Sequence, residues 1–382
     1  MLQRMFLPVG QGAFYLETFL CNNEKINIIY DCGSETSPKT LEAEIESNLN
    51  KNDEILLLFI SHFHDDHMNG LEYLLNNDEV KNIILPYTSE VNKHILSIKY
   101  LCSSGSKSTT SFVYRMINDP DLTIKEISEN TNVHYVMPYN NRSENNSDNN
   151  IINPIKSGAN VLKEINIKSP INAPITNQLY WEYIPFNFQH NKRSKQFLDN
   201  LTNNLKKEAP TYASLPLKDI LKKWDNKAIQ KAVKAAYNDV KGDLNTNSMT
   251  LFSGAKINDK CQKLVAHHLC KICPYDIGKA NGCLYTGDYD AKGVRKWSEL
   301  YNAYNEYWQY IGCIQIPHHG SHHNYNHKLA LFDSYYIISA GKVNHYHHPS
   351  GSVIKDLIFE KKHLSIVTEE HYTMTTTKIE IH

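Results

Sequence analysis

The chain has 382 residues, enough for two domains of ordinary size or one large domain carrying an insertion. Its 41% hydrophobic and 21% charged residues exclude wholesale disorder, and a formal net charge of -1 excludes a basic grip on nucleic acid by the whole protein. No stretch approaches the ~20 apolar residues of a membrane span, so no membrane contact is expected. Eight scattered cysteines make no disulfide scaffold, which points to a reducing cytoplasm.

Taken in chain order, the first hundred residues alternate strands and helices. Arg4–Pro8, Ala13–Leu20 and Lys25–Tyr30 read as strands, and Thr40–Asn50 as a short helix. Glu54–Ser61 is a continuous apolar run, the pattern of a strand buried on both faces. Leu71–Leu75 fits a helix and Val80–Leu85 another buried strand. Such β-α-β alternation predicts a layered α/β fold.

Residues 101–244 break the pattern. Asn140–Asn150 is low-complexity and reads as a loop. Leu217–Val240 has helical periodicity, with Gly242 as its stop. Between Lys156 and Lys241 there are 15 Lys/Arg against 7 Asp/Glu. The segment is expected to be a mostly helical insertion with a basic face, available to nucleic acid or to a protein partner. The strand pattern returns after residue 245, at Met249–Ser253, Gly282–Thr286, Ile311–Pro317, Ser334–Ser339 and Ser365–Thr368.

The histidines carry the chemistry. His62-Phe63-His64-Asp65-Asp66-His67 lies directly after a buried strand and before a helix. Two histidines two apart at an extended strand end project the same way. The following turn brings Asp66 and His67 toward the same point. Imidazole plus carboxylate is a ligand set for zinc, manganese or iron. Thr286-Gly287-Asp288, Pro317-His318-His319-Gly320-Ser321 and Asn344-His345-Tyr346-His347-His348-Pro349 follow later strands.

With the Gly10-Gln11-Gly12 turn, the Asp31-Cys32-Gly33 strand end and Asn245–Leu251, these motifs resemble those of metallo-β-lactamase-fold hydrolases. They are most similar to the soluble nuclease-type domain of the competence protein ComEC. The resemblance covers residues 1–100 and 245–382, which would form the catalytic domain. It implies a four-layer αββα sandwich and two divalent cations, zinc or manganese. His62 and His64 would hold one ion, Asp66 and His67 the other, with Asp288 bridging. His318 or His319 would complete the second site. Asp66 and Asp288 would thus serve catalysis as well as binding. Asp31 and Asn247 would orient ligands from behind. His347 or His348 would contact the scissile phosphate or protonate the leaving group.

Many members of the superfamily supply a further histidine between the hexad and the bridging aspartate. Here that place is taken by Asn245–Ser248, so one site is expected to bind more weakly. The implied activity is metal-dependent phosphodiester hydrolysis, with DNA the first substrate to test. Hydrolysis of a small ester (a lactone, a thioester or a small phosphodiester) and service as a metal-binding subunit remain alternatives. Cys261, Cys270, Cys273 and Cys283 admit a structural zinc, although their spacing also suits free thiols.

Overall fold

The run of apolar residues after Asp53 becomes a strand because β-branched and leucine side chains fill both of its faces, and the rest of the sheet pattern assembles around it. The computed structural model describes residues 1–21, 24–51, 53–103, 108–139, 151–167, 181–189, 192–240, 247–256, 264–268 and 280–381. In chain order, β1 (Leu2–Phe6), β2 (Gly12–Cys21) and β3 (Glu24–Ser34) precede α1 (Pro38–Asn48). Then come β4 (Glu54–Phe59), α2 (Asp65–Met68), α3 (Leu71–Asn77), β5 (Glu79–Val80) and β6 (Asn82–Pro86). Helices α4 (Glu90–Cys102), α5 (Phe112–Asn118) and α6 (Pro120–Lys125) follow, then β7 (Asn132–Val136), β8 (Pro154–Ile155), α7 (Val161–Glu164) and β9 (Trp181–Gln189). Helices α8 (Lys192–Glu208), α9 (Leu217–Leu221) and α10 (Lys227–Asn238) lead into β10 (Asn247–Ala255), β11 (Leu264–His268) and β12 (Gly282–Tyr285). The chain closes with α11 (Val294–Ala303), β13 (Ile311–Gln315), β14 (Tyr335–Ser339), α12 (Gly351–Phe359), β15 (Leu364–Val367) and β16 (Thr375–Ile381). Among the described residues no helix is long and apolar enough to cross a membrane.

Two compact units result. One comprises Met1–Pro86, Ile127–Phe188 and Ser248–His382; the other comprises Tyr87–Glu126 and Gln189–Asn247. This division differs from the expected 101–244 insertion. The helical unit starts earlier, because α4 belongs to it. The 127–188 stretch, expected within the insertion, instead supplies β7–β9 to the sheets. The reason is visible in the β-branched and aromatic runs: Val133 and Val136, then Tyr183, Ile184, Phe186 and Phe188, are all buried. The Asn140–Asn150 segment lies outside the described residues.

The first unit holds both sheets. One runs β11-β16-β1-β2-β3-β4-β6-β7-β8, with β5 beside β4; the other runs β15-β14-β13-β12-β10-β9. Side chains of both, such as Phe6, Tyr30, Phe59, Tyr285 and Ile337, fill the layer between them. Helices α1 and α2 pack on β3. Helices α11 and α12 add Leu300, Val353 and Leu357 to a second core with Phe252, Ile314 and Ile338. The architecture is mixed α/β, with two sheets and flanking helices.

The layer between the sheets also contains charge. Arg4 and Glu17 are both buried and paired at 2.6 Å. Arg4 donates further to the carbonyls of Asn281 and Ser253, each at 3.2 Å. Glu17 accepts from Tyr183 (2.7 Å), Ser253 (2.6 Å) and Tyr285 (2.9 Å). Burial is the largest influence and opposes the Arg4 charge, but Glu17, joined by Tyr285, Cys283 and Cys313, raises the guanidinium pKa on balance.

In the second unit, the expected continuous helix over Leu217–Val240 is broken. Helix α9 stops at Leu221, and Asn226 starts α10 afresh by accepting from the Ala228 and Ile229 amides at 2.9 and 3.3 Å. Asparagine favours exactly this capping role over a helix interior. Ile95, Phe197, Leu201, Leu221, Ile229 and Val233 are among the side chains of its own apolar core.

Candidate metal centre

Parallel strands bring several ends to one rim of the sheet unit. Strand β3 carries Asp31-Cys32-Gly33 just before its end at Ser34, β4 runs on to Ser61-His62, β12 to Thr286-Gly287-Asp288, and β13 to Pro317-His318-His319. Helix α2 presents Asp66 and His67 to the same place. Gly33 permits this approach: a Cβ there would lie 2.5 Å from the backbone of Asp66 and of His67. Asp31, His318 and His319 hold left-handed backbones, with φ of 57°, 51° and 54°. Such conformations cost roughly 1–2 kcal/mol each, and strain of this kind concentrates where side chains must be aimed.

Two overlapping groups of ligand atoms converge there. His62, His67 and Asp288 form one; Asp66, His67 and His319 form the other; within each group the ligand atoms lie within 4.8 Å of one another. Asp288 Oδ1 is 3.2 Å from His67 Nε2, while its Oδ2 is 3.4 Å from His62 Nε2 and 3.5 Å from His318 Nε2. His319 Nε2 meets Asp66 Oδ2 at 3.0 Å. His64 Nδ1 lies 2.8 Å from His62 Nε2. The two members of the His318–His319 pair thus stand differently: His319 is buried against Asp66, whereas His318 is half-buried beside Asp288.

Supporting hydrogen bonds aim these rings. Asp31 Oδ2 is 2.7 Å from His67 Nδ1, and the Ser61 amide and hydroxyl both donate to Asp31 at 2.7 Å. That arrangement turns Nε2 of His67 inward. The Ser339 carbonyl does the same for His319, at 2.8 Å from its Nδ1. Hydrogen bonds of this kind fix the tautomer and ring angle of a ligand histidine.

A cation suits the donor set. His67 Nε2 and Asp288 Oδ1 are buried and satisfy no hydrogen bond, although buried polar atoms are nearly always paired. Imidazole nitrogens and carboxylate oxygens are ligands for zinc and for manganese. The local electrostatics agree. Burial opposes the charge on His67, but Asp66, Asp288 and Asp31 push its pKa up. Burial likewise opposes the Asp288 charge, but His318, His67 and His62 hold its carboxyl well below the usual range. His62 moves the other way: burial, then the neighbouring His67, lowers it.

The remaining expected residues divide. The His348 ring centroid is 5.4 Å from that of His318, and burial followed by His318 and His319 lowers its pKa to about 4. His347 is exposed, and among the described contacts it makes none with the cluster. The structure therefore separates two histidines that sequence left interchangeable. The Asn247 side chain and Cys261, Cys270 and Cys273 lie outside the described residues. Cys283 is buried in β12 and free, opposite Cys313 of β13.

Two contributors escaped sequence reasoning. Ser61 immediately precedes the hexad and ties Asp31 to it. Gln315 is the other: its Oε1 accepts from the amides of Thr286 (2.7 Å) and Gly287 (2.9 Å), and from the Thr286 hydroxyl (2.9 Å). Its Nε2 donates to the Ile316 carbonyl at 2.7 Å. Gln315 thereby clamps the turn that delivers Asp288. A lone polar residue inside an apolar strand, two positions before Pro317, was its one sequence signal.

Compared with curated proteins, the chain matches none. Residues 13–101 match the model of the Metallo-beta-lactamase superfamily, a match to the superfamily as a whole. Members of that superfamily are mostly hydrolases and typically bind divalent metals, often zinc. The matched segment includes β3, β4 and the complete 62–67 hexad; Asp288 and His319 come from outside it. The two sheets, the flanking helices and the converging His/Asp groups are consistent with the metallo-beta-lactamase fold, a superfamily that implies metal-dependent hydrolysis.

Proposed function

We propose that the chain is a metal-dependent phosphodiesterase that cleaves nucleic acid, with DNA as the leading substrate. The observation that carries this reading is the pair of ligand groups sharing His67, one of which includes Asp288. Asp288 turns one oxygen toward His67 and the other toward His62 and His318, the disposition of a carboxylate serving two cations. His62 and His64 would hold one, and Asp66, His67 and His319 the other, with Asp288 between. Bound there, a pair of divalent cations would supply Lewis acidity and bring the pKa of a shared water near neutrality. Similarity of the Thr286-Gly287-Asp288 and Pro317–Ser321 motifs to the ComEC nuclease-type domain favours a phosphodiester over other esters.

The chain's own residues do the positioning. Asp31 and Ser61 keep His67 Nε2 turned inward, and Gln315 keeps Asp288 in place. His348, neutral at physiological pH, offers a ring N–H to a substrate or leaving-group oxygen. In the net reaction the water oxygen bonds to phosphorus, the bond from phosphorus to the leaving oxygen breaks, and the proton given up by the water ends on that oxygen. Unpaired Cys32, Cys102, Cys283 and Cys313 fit a reducing, cytoplasmic setting.

The test is incubation of purified protein with single- and double-stranded DNA and RNA, with manganese, zinc or magnesium restored after chelation. Metal-dependent cleavage is expected, and its disappearance in Asp288→Asn. Folded, metal-loaded protein that cleaves no phosphodiester would overturn the reading and leave a small ester as substrate.

A further inference from the structure

The sheet and helical units carry opposite charge. Residues 87–126 and 189–247 contain 17 Lys/Arg against 10 Asp/Glu, a balance of +7; with the whole chain at -1, the remainder stands at -8. The excess of positive charge makes the helical unit the place to seek a cationic surface for a polyanion.

Helix α10 provides it. Ile229, Ala232, Val233 and Ala236 are buried, while Lys227, Lys231 and Lys234 are exposed. Spacings of four and three residues set those lysines in one row. The row extends over roughly 10 Å of helix axis, about the axial span of three phosphates on one strand. Lys218 of α9 and the following Lys222 and Lys223 are exposed as well. Lys227 and Lys234 have no ion-pair partner among the described residues. Lys231 meets Glu208 at 2.7 Å and Lys222 meets Asp219 at 3.1 Å. Exposed pairs of this kind are worth about 0–1 kcal/mol, so a phosphate can displace either carboxylate. The row holds neither arginine nor a free amide to read base edges, since Gln230 donates to the Trp224 carbonyl.

We propose that this lysine row is a sequence-independent binding surface for a nucleic-acid backbone. It rests on the phosphodiesterase reading for its purpose, since it would retain the polymer that the metal centre cuts. Lysines that neutralise phosphates release counterions, so the binding constant falls with salt along a measurable slope.

The experiment uses the full chain, stripped of metal by chelator so that nothing is cut. Fluorescence anisotropy follows labelled single- and double-stranded DNA of about three helical turns across a salt series. The comparison is the variant Lys222→Gln, Lys223→Gln, Lys227→Gln, Lys231→Gln, Lys234→Gln, whose circular dichroism and melting report its fold. The wild type is expected to bind, and the variant to lose about 0.7–0.9 of log-log salt slope for each lysine that held a phosphate. An unchanged slope in the folded variant overturns the proposal. So does wild-type protein that binds anionic vesicles and not nucleic acid. Hydrolysis of bis(p-nitrophenyl) phosphate by the metal-loaded wild type tests the phosphodiesterase reading separately: turnover without DNA binding sinks the surface alone, and DNA binding without turnover sinks the activity alone.

Discussion

In the sheet unit, Arg4, Glu17, Asp31 and Asp288 are buried among strands, each against named partners. In the helical unit, the lysines of α9 and α10 stand in water, and the interior is Ile, Leu, Val, Ala and Phe. Placing charge inside a protein is costly unless partners meet it. Those partners come from strands far apart in sequence, as Glu17 and Tyr285 do. Placing charge outside needs only helical periodicity. The sheet unit's charge is thus held by its whole topology, and the helical unit's by one helix at a time.

The sharpest test of that contrast is Asp288→Asn. It is expected to leave the fold intact and to lower phosphodiester hydrolysis at least ~100-fold, since one lost transition-state stabiliser costs roughly 100–1000-fold. Rates on bis(p-nitrophenyl) phosphate and bound metal per chain would show it. Retained activity would mean that Asp288 is only a structural strand end.

Arg4→Met is next. It leaves Glu17 buried without its cation and is expected to cost about 3–5 kcal/mol in denaturant unfolding. Adding Glu17→Gln should restore part of the loss. A cost under 1 kcal/mol would show that the buried pair is not treated as charge.

Gln315→Leu breaks the clamp without touching a ligand. Metal affinity, measured by competition with a chelator, should fall roughly 10–100-fold. The helical unit supplies the smallest effect. Asn226→Ala removes a cap and should cost about 1 kcal/mol with metal content unchanged. Loss of metal in that variant would show the two units to be less separate than their cores suggest.

A fifth measurement concerns protons. His67 and His319 are both raised by the surrounding carboxylates, after burial has opposed them. A cation bound at these nitrogens must displace protons. Calorimetric metal titration near pH 7 in two buffers of different ionisation heat should therefore report release of about one to two protons per chain, and metal affinity should fall as the pH is lowered.

What the sequence disclosed follows the same division. The strand β4 and the 62–67 hexad were legible because burial on both faces and ligand spacing are local patterns. Asp31 was found through its motif, yet its grip on His67 depends on Ser61 and on the close approach that Gly33 allows, which no local pattern encodes. Gln315 was missed because its partners, Thr286 and Gly287, lie on the neighbouring strand. The break between α9 and α10 was missed because apolar periodicity continues through Trp224 while Asn226 decides the boundary. Strands β7–β9 were read as helical insertion because low-complexity sequence separates them from the sheets they join.

The bond between His319 and Asp66 spans 253 residues. On a ribosome adding about 5–20 residues per second, Asp66 emerges roughly ten seconds to a minute before the histidine that meets it. Through that interval His62, His64, Asp66 and His67 exist without His319, and for most of it without Asp288. A cation captured early would have only neighbouring imidazoles and carboxylates of the nascent chain to hold it, so the Asp66–His319 contact cannot form until the chain has grown by 253 residues.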